Sequence, residues 1–445
     1  MEALDVAIIG GGTAGLNARR AALAHGARVT LFDPGPLGTT CARVGCMPSK
    51  LLIAAAELAH DAQRGPEFGI RTTVEVDPVA VMQRVRRMRD LFVSRAKQGI
   101  EKLGDPIPET VRFTGPDRFE AGGVEYRARA IVLATGSEPV IPDPWRGLSD
   151  AVITTDQVFE LERLPESLLV IGAGAIGLEL GQAMHRLGVR VTVLDVTGRL
   201  AGLEDDHLVG VLRDSLPLDL HLRHELLSVA PTDGGVSVAF RGEDGEEHVA
   251  TWERVLVAAG RRPRLSALGL DAAGLDPLPA IDPETCRLGD THIYVAGDVT
   301  GSRMILHEAA HEGRIAGANA ARHPHPVAEA RKTPLALVFT DPQVARVGRR
   351  GDVTGALDFA FQSRAKVLGR DAGRLEVYAD ADGRLTGATV IGPDAEHLGH
   401  LLAWAVQAGL SVHDAIEMPF YHPVLEEGLE AALKDLRSRL GASAA

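Results

Sequence analysis

Two stretches of this chain follow one plan. Residues Leu4–Ile9 form an apolar run, glycines follow at 10, 11, 12 and 15, a helical pattern occupies Thr13–His25, and the apolar run Arg28–Phe32 ends on Asp33. The plan returns at Leu168–Ile171, with Gly172, Gly174 and Gly177, a helical stretch Ala175–Leu187, and Arg190–Leu194 ending on Asp195. First glycine and acid stand 23 residues apart both times, 10 to 33 and 172 to 195. Strand, glycine turn, helix and a strand ending on an acid make a βαβ opening. The glycines of Gly10-x-Gly12-x-x-Gly15 bring backbone N–H groups and a helix N-terminus against a pyrophosphate, and the acid accepts hydrogen bonds from a ribose diol. Two such units predict two dinucleotide sites in an α/β chain. A carboxylate at Asp195 favours a free 2′-hydroxyl and repels a 2′-phosphate, so NAD(H) is expected over NADP(H). Arg199, a few residues on, is a nearby arginine that could answer a phosphate.

The remaining chain has room for more. At roughly 100–200 residues per domain, 445 residues suggest about three domains. An amphipathic stretch, about Pro78–Leu103, places Val81, Val85, Met88, Leu91 and Phe92 at helical spacing. Short strand-like pieces at Val111–Phe113 and Val124–Tyr126 precede the apolar run Ala130–Ala134. Residues Pro139–Pro144 hold three prolines and read as a linker. Another apolar run, Arg254–Ala258, precedes Gly260, and a further boundary falls near Ala328 after His-Pro-His-Pro. The tail reads as strands, then helices at Glu396–Ala408 and Leu425–Leu440.

Charge and cysteine usage narrow the function. Forty-seven basic against sixty acidic residues disfavour nucleic acid or an anionic membrane as the main partner. The most apolar window, Leu168–Leu180, holds three glycines and Glu179 and is too short to span a bilayer. The N-terminus lacks the charge pattern of a signal peptide, so a cytoplasmic protein is expected. Three cysteines are too few for a secreted disulfide framework. Cys286 reads as a small buried hydrophobe. Cys41 and Cys46 lie five apart in Cys41-Ala-Arg-Val-Gly-Cys46-Met-Pro-Ser-Lys50. Five residues of regular helix rise about 7.5 Å, whereas a disulfide needs Cα atoms about 4.4–6.8 Å apart. Pairing therefore requires a distorted helix start, for which Gly45 and Pro48 are suited. A zinc site would want four ligands, and no further cysteine or close histidine pair accompanies these two, so no metal is expected. Taken alone, the pair could equally be two buried thiols. Lys50 is a cation close enough to stabilise a thiolate or a reduced flavin.

Two more motifs carry polar chemistry. The run 293–296 reads as a strand delivering Asp298, an acid able to bond a polyol. In His422-Pro-Val-Leu-Glu-Glu427, Pro423 suits the first turn of a helix, placing His422 at its entrance and Glu427 about one turn inside. A carboxylate beside an imidazole holds its tautomer and stabilises its charged form.

Together and in this order, these five motifs resemble the pyridine nucleotide–disulfide oxidoreductase family, with its dihydrolipoamide-oxidising members most similar. The resemblance runs from about residue 4 to 435. It implies two Rossmann-type domains plus a C-terminal α+β dimerisation domain. The expected divisions are 1–145 for FAD and the redox disulfide, 146–264 for NAD, 265–327 completing the FAD site, and 328–445 for the subunit interface. It implies FAD at the first glycine unit with Thr13, Ala14, Thr40, Thr135 and Gly136, and NAD at the second with Ile176 and Gly260. Asp298 matches the acid on the ribityl chain, and Met304 and Leu306 match a segment whose backbone passes the flavin. Cys46 would be the flavin-side sulfur and Cys41 the one exchanging with substrate. Lys50 matches a lysine near the flavin, and Glu179 its ion-pair partner. His422 matches a catalytic base acting in the other subunit of a homodimer, with Glu427 orienting it.

The implied reaction is dihydrolipoamide oxidation by NAD+, with a lipoyl-bearing carrier protein or a small dithiol as partner. Two other readings are weighed: an NAD(P)H-dependent reductase of glutathione or coenzyme A disulfide, and a non-enzymatic flavin-bearing subunit that binds a lipoyl protein. The chain departs from the family in three places. Gly38-Thr39-Thr40-Cys41 replaces the usual Gly-Gly-Thr-Cys, Arg264 stands where asparagine is common, and Phe420-Tyr421 precedes His422 where His-Ala is usual.

Overall fold

The computed structural model describes residues 2–443. Its first sheet is built from the N-terminal βαβ unit. Glu2–Ile9 pairs in parallel with Val29–Phe32 on one side and with Val124–Leu133 on the other. The helix Thr13–Ala24 starts directly after Gly12. The expected pieces at 124–126 and 130–134 are one continuous strand, whose early half pairs antiparallel with Arg118–Ala121 and whose late half continues the parallel sheet. Residues 265–327 return to this sheet. Ile293–Val295 pairs in parallel with Ile131–Leu133, and Tyr294, Ala309 and Ile315 share one apolar core with Val6, Ile8 and Ala18. Both faces of this sheet carry an apolar core, one under the helices through Val6 and Ile8 and the other through Ala7, Ile9 and Phe32 against Phe113, Phe119 and Leu275, which is why the strand ends here are fully buried.

The second unit repeats the arrangement. Its parallel sheet runs in the order Asp219–Leu222, Arg190–Asp195, Ser167–Ile171, Arg254–Val257, Val152–Ile153. An antiparallel three-stranded ribbon, residues 225–252, packs Val236, Val238 and Trp252 against Leu169 and Val255. The chain enters and leaves this unit through paired short strands, Ser137–Pro139 and Arg261–Pro263. The proline-rich linker is thus one half of a double crossing.

The third unit is an antiparallel five-stranded sheet in the order Leu335–Val338, Gln343–Gly348, Leu385–Gly392, Arg374–Ala379, Val353–Asp358. Helices Ala395–Gln407 and Glu427–Ser443 pack on it through Leu398, Leu402, Leu429, Leu433 and Leu436. The last helix starts at Glu427 and not at Pro423. Residues 422–426 form turns, so Glu427 opens the helix instead of lying one turn inside. Among the described residues no helix is long and apolar enough to cross a membrane.

Candidate active site

Glycine geometry separates three jobs in each dinucleotide motif. Gly172 has φ +112, and a Cβ there would stand 2.5 Å from the Ala258 carbonyl oxygen. A Cβ on Gly177 would stand 2.0 Å from Gly172 O. These two serve the turn and the helix–strand contact. At Gly174, by contrast, no protein atom lies within 4 Å of an added Cβ. Gly10, Gly15 and Gly12 repeat the pattern, with Gly12 facing open space. That open approach, at a helix N-terminus, fits a pyrophosphate in both units. The paired acids brace the loops: Asp33 accepts from Gly11 N and Gly35 N, and Asp195 from Ala173 N, Thr197 N and Thr197 Oγ1. Arg199 is engaged with Glu204 at 3.0 Å.

The redox segment is two helices, not one. Thr40–Val44 ends at Gly45, where φ −126 and ψ −120 break the helix, and Cys46–Gln63 starts at once. A Cβ on Gly45 would stand 3.1 Å from Thr40 O and 3.2 Å from Cys41 Cα. The distortion required by the cysteine spacing therefore sits at Gly45, while Pro48 lies in the first turn of the second helix. Thr39, the N-cap, has φ 61 and ψ 148, and its hydroxyl accepts from Ala42 N at 3.3 Å. Both cysteines are free thiols in this structure. The Cys41 thiol hydrogen-bonds to Cys46, which holds Cys46 down at about 7 against the opposing effect of burial, with the Lys50 ammonium helping. That same hydrogen bond, followed by burial, pushes Cys41 up. In the dithiol state the negative charge belongs on Cys46.

A cavity of about 480 Å³ gathers the pieces. Gly12, Thr13 and Ala14 of the first motif line it beside Thr40, Cys41, Cys46 and Lys50. From the second motif come Ile176 and Glu179; Gly136, Asp298, Met304 and Leu306 are the other sequence-expected residues on its wall. Lys50 Nζ lies 2.7 Å from Glu179 Oε2, and Glu179 is buried. Asp298 accepts from Ser137 Oγ at 2.7 Å, and Ser137 Oγ in turn accepts from Arg261 Nε at 2.8 Å. Gly297 N donates to the buried Glu312 at 2.7 Å, and Arg331 holds the other oxygen of Glu312 at 2.8 Å. Ser137, Arg261, Glu312 and Phe339 were not among the residues expected from sequence.

Other expected residues stand off the cavity wall. Gly10, Gly15 and Asp33 support the first loop from behind, and Gly172, Gly174, Gly177, Asp195 and Gly260 belong to the second unit's own approach. Thr135 spends its hydroxyl on Arg264 O at 2.7 Å. His422 and Glu427 are also outside the lining of this cavity. They form their own pair, His422 Nδ1 to Glu427 Oε1 at 2.7 Å, with Val424 N donating to Glu427 Oε2 at 3.1 Å. The hydrogen bond from His422 holds the Glu427 carboxyl below its usual range. His422 is three-quarters exposed on this chain. Cys286 is buried in the first domain's core, where burial pushes its thiol up to about 12.

The family model for pyridine nucleotide–disulphide oxidoreductases matches residues 4–313, and the model for the dimerisation domain of those enzymes matches residues 335–433. The chain belongs to this family. It is an oxidoreductase acting on sulfur groups, with FAD and NAD as its cofactors. The dihydrolipoyl dehydrogenase of Halobacterium salinarum is 33% identical over 459 residues, covering 96% of this chain and 95% of that protein. That of Thermus scotoductus is 31% identical, covering 99% and 98%. Among solved structures, LpdA from Mycobacterium tuberculosis matches with a TM-score of 0.82 at 26% identity, over 97% of this chain and 99% of that one.

Proposed function

We propose that this protein is a dihydrolipoyl dehydrogenase, oxidising a dihydrolipoamide-type dithiol with NAD+ through the Cys41–Cys46 pair. The observation that carries the reading is the single cavity where both cysteines and Lys50 meet residues of both dinucleotide motifs. Gly12–Ala14, Thr40, Gly136, Asp298, Met304 and Leu306 would hold FAD there, with Gly10, Gly15, Asp33 and Thr135 supporting them. Gly172, Gly174, Ile176, Gly177, Asp195 and Gly260 would hold NAD. When bound, FAD supplies the two-electron acceptor between the dithiol and NAD+.

The chain's own groups handle sulfur and protons. His422, from the other subunit of a homodimer, takes the proton of the incoming thiol. Glu427 on Nδ1 leaves Nε2 as the free base. The substrate thiolate attacks Cys41 of the oxidised pair, the Cys41–Cys46 bond breaks, and Cys46 departs as thiolate. The Lys50 ammonium beside Cys46 favours its thiolate and so its departure. The second substrate thiol then attacks its own mixed-disulfide sulfur, releasing the cyclic disulfide, and its proton passes to the departing Cys41 sulfur, which leaves as the thiol. The substrate loses two electrons and two protons, and the cysteine pair holds the electrons.

A lipoyl-bearing carrier protein is the natural source of such a dithiol. A Cys46→Ser variant should keep its flavin and lose NAD-linked dithiol oxidation; retained full activity overturns the proposal. Steady-state rates with lipoamide, glutathione disulfide and coenzyme A disulfide identify the substrate, and a clear preference for either of the last two would replace lipoamide.

A further inference from the structure

Phe339 touches both members of the ion pair beside Cys46, although no motif points to it. Its main-chain N–H donates to Glu179 Oε1 at 3.0 Å. Its ring centroid lies 4.3 Å from Lys50 Nζ. Lys50 takes the other Glu179 oxygen at 2.7 Å. Both oxygens of a buried carboxylate are therefore occupied, one by a cation and one by a backbone donor. All three residues line the cavity that holds Cys46. Each comes from a different domain: Lys50 from the cysteine helix, Glu179 from the helix of the second motif, and Phe339 from the end of strand Leu335–Val338.

The ring is more than filler. The face of an aromatic ring attracts a cation through its quadrupole, and an aliphatic side chain of similar size does not. Lys50 is about one-third exposed, so without that face its ammonium can swing toward water.

We propose that Phe339 is a positioning residue: its ring and main-chain N–H hold the Lys50 ammonium at the Glu179 carboxylate beside Cys46, and so set how readily the cysteine pair carries a thiolate. The inference rests on the proposed role of that pair. The groups bearing on Cys46 are Cys41 from the preceding helix, Lys50 from its own helix and Glu179 from the facing one. Arg261, Asp298, His307 and His400 line the same cavity. Lys50 is the cation whose charge favours the Cys46 thiolate, and Glu179 opposes it, so loosening Lys50 moves thiolate formation to higher pH. The third domain thereby reaches into the chemistry of the first.

The test uses the full-length, flavin-loaded protein, reduced anaerobically. The rate of Cys46 alkylation by iodoacetamide is followed against pH by peptide mass spectrometry. Phe339→Leu and Phe339→Met remove the ring face, while Phe339→Tyr keeps it; all three keep the backbone N–H. The aliphatic variants should raise the alkylation midpoint by about half a pH unit, the size a cation–π contact at a partly exposed site supports. The tyrosine variant should match the parent. An unmoved midpoint in the folded aliphatic variants overturns the inference, as does a tyrosine variant that shifts as far as they do. The long-wavelength thiolate–flavin absorbance of the reduced parent separates the two layers. Its absence contradicts the proposed function, whereas its presence with unmoved aliphatic variants contradicts only the role of Phe339.

Discussion

Thr39 occupies a backbone conformation that suits glycine, two residues before Cys41. At φ 61 and ψ 148 a β-branched side chain is strained, and such positions cost about 1–3 kcal/mol. The family usually has glycine here. Thr39→Gly removes that strain. It also removes the hydroxyl cap on Ala42 N, and exchanging a Thr cap for Gly costs only a few tenths of a kcal/mol. The freer unfolded chain costs roughly 0.4–1 kcal/mol more. The balance is a net stabilisation of about 1 kcal/mol, within a range of about 0–2 kcal/mol. Thr39→Ala is the control, because it keeps a Cβ in the same strained place and loses the cap, which lowers stability by about 0.5–2 kcal/mol. Urea midpoints of the flavin-domain transition, followed by flavin fluorescence, compare the three proteins at matched slope. A glycine variant no more stable than the alanine variant would refute the claim that Thr39 is strained. The same variants report whether that strain matters to Cys41, through their dithiol oxidation rates.

The turn and phosphate-approach jobs of glycine should separate cleanly in the second motif. Gly172→Ala places a Cβ 2.5 Å from a backbone oxygen at positive φ and should cost about 2–4 kcal/mol in denaturant unfolding. Gly174→Ser meets open space at a helix N-cap, so it should leave stability within about 0.5 kcal/mol yet weaken NADH binding about tenfold or more by calorimetry. Because Cys46 is held down near 7, its thiolate persists above that pH and is lost below it; alkylation of the reduced protein should be half-maximal at about pH 7, and Lys50→Met should move the midpoint upward. Glu427→Ala should leave the fold intact and lower kcat with dihydrolipoamide roughly tenfold or more, since the imidazole loses its Nδ1 partner. A kcat unchanged in that variant would remove Glu427 from the proton path.

Legibility in the sequence followed the range of the interaction. The βαβ units were readable because strand, glycines, helix and acid act within about 25 residues, and each expected element lies within two residues of its observed bounds. A distorted helix start was readable from arithmetic, since helix rise and disulfide reach are incompatible over five residues; of the two positions suited to it, Gly45 and Pro48, the break falls at Gly45. Pro423 misled: proline fits a helix start, but here it serves a turn that lets Val424 N and His422 reach the two oxygens of Glu427. Leu91 fell on the expected apolar stripe of Pro78–Glu101 yet is exposed, because only Met82, Val85, Arg89 and Ile100 on that helix are fully covered by neighbours. Phe339 was invisible for two reasons. It lies 160 residues from Glu179, and half of its contribution is a main-chain N–H that any residue but proline carries. The Ser137–Asp298 and Glu312–Gly297 bonds were hidden likewise, the first by sequence distance and the second by ending on backbone.

The central claim is that Cys41 and Cys46 relay electrons between a dithiol and a flavin in one cavity. Anaerobic addition of dihydrolipoamide to the flavin-loaded protein tests it most directly. The account predicts a long-wavelength thiolate–flavin band that forms with the parent, fails to form with Cys46→Ser, and is discharged by NAD+ with production of NADH. An absorption spectrum that does not change under excess dihydrolipoamide, or the same band in Cys46→Ser, would contradict it.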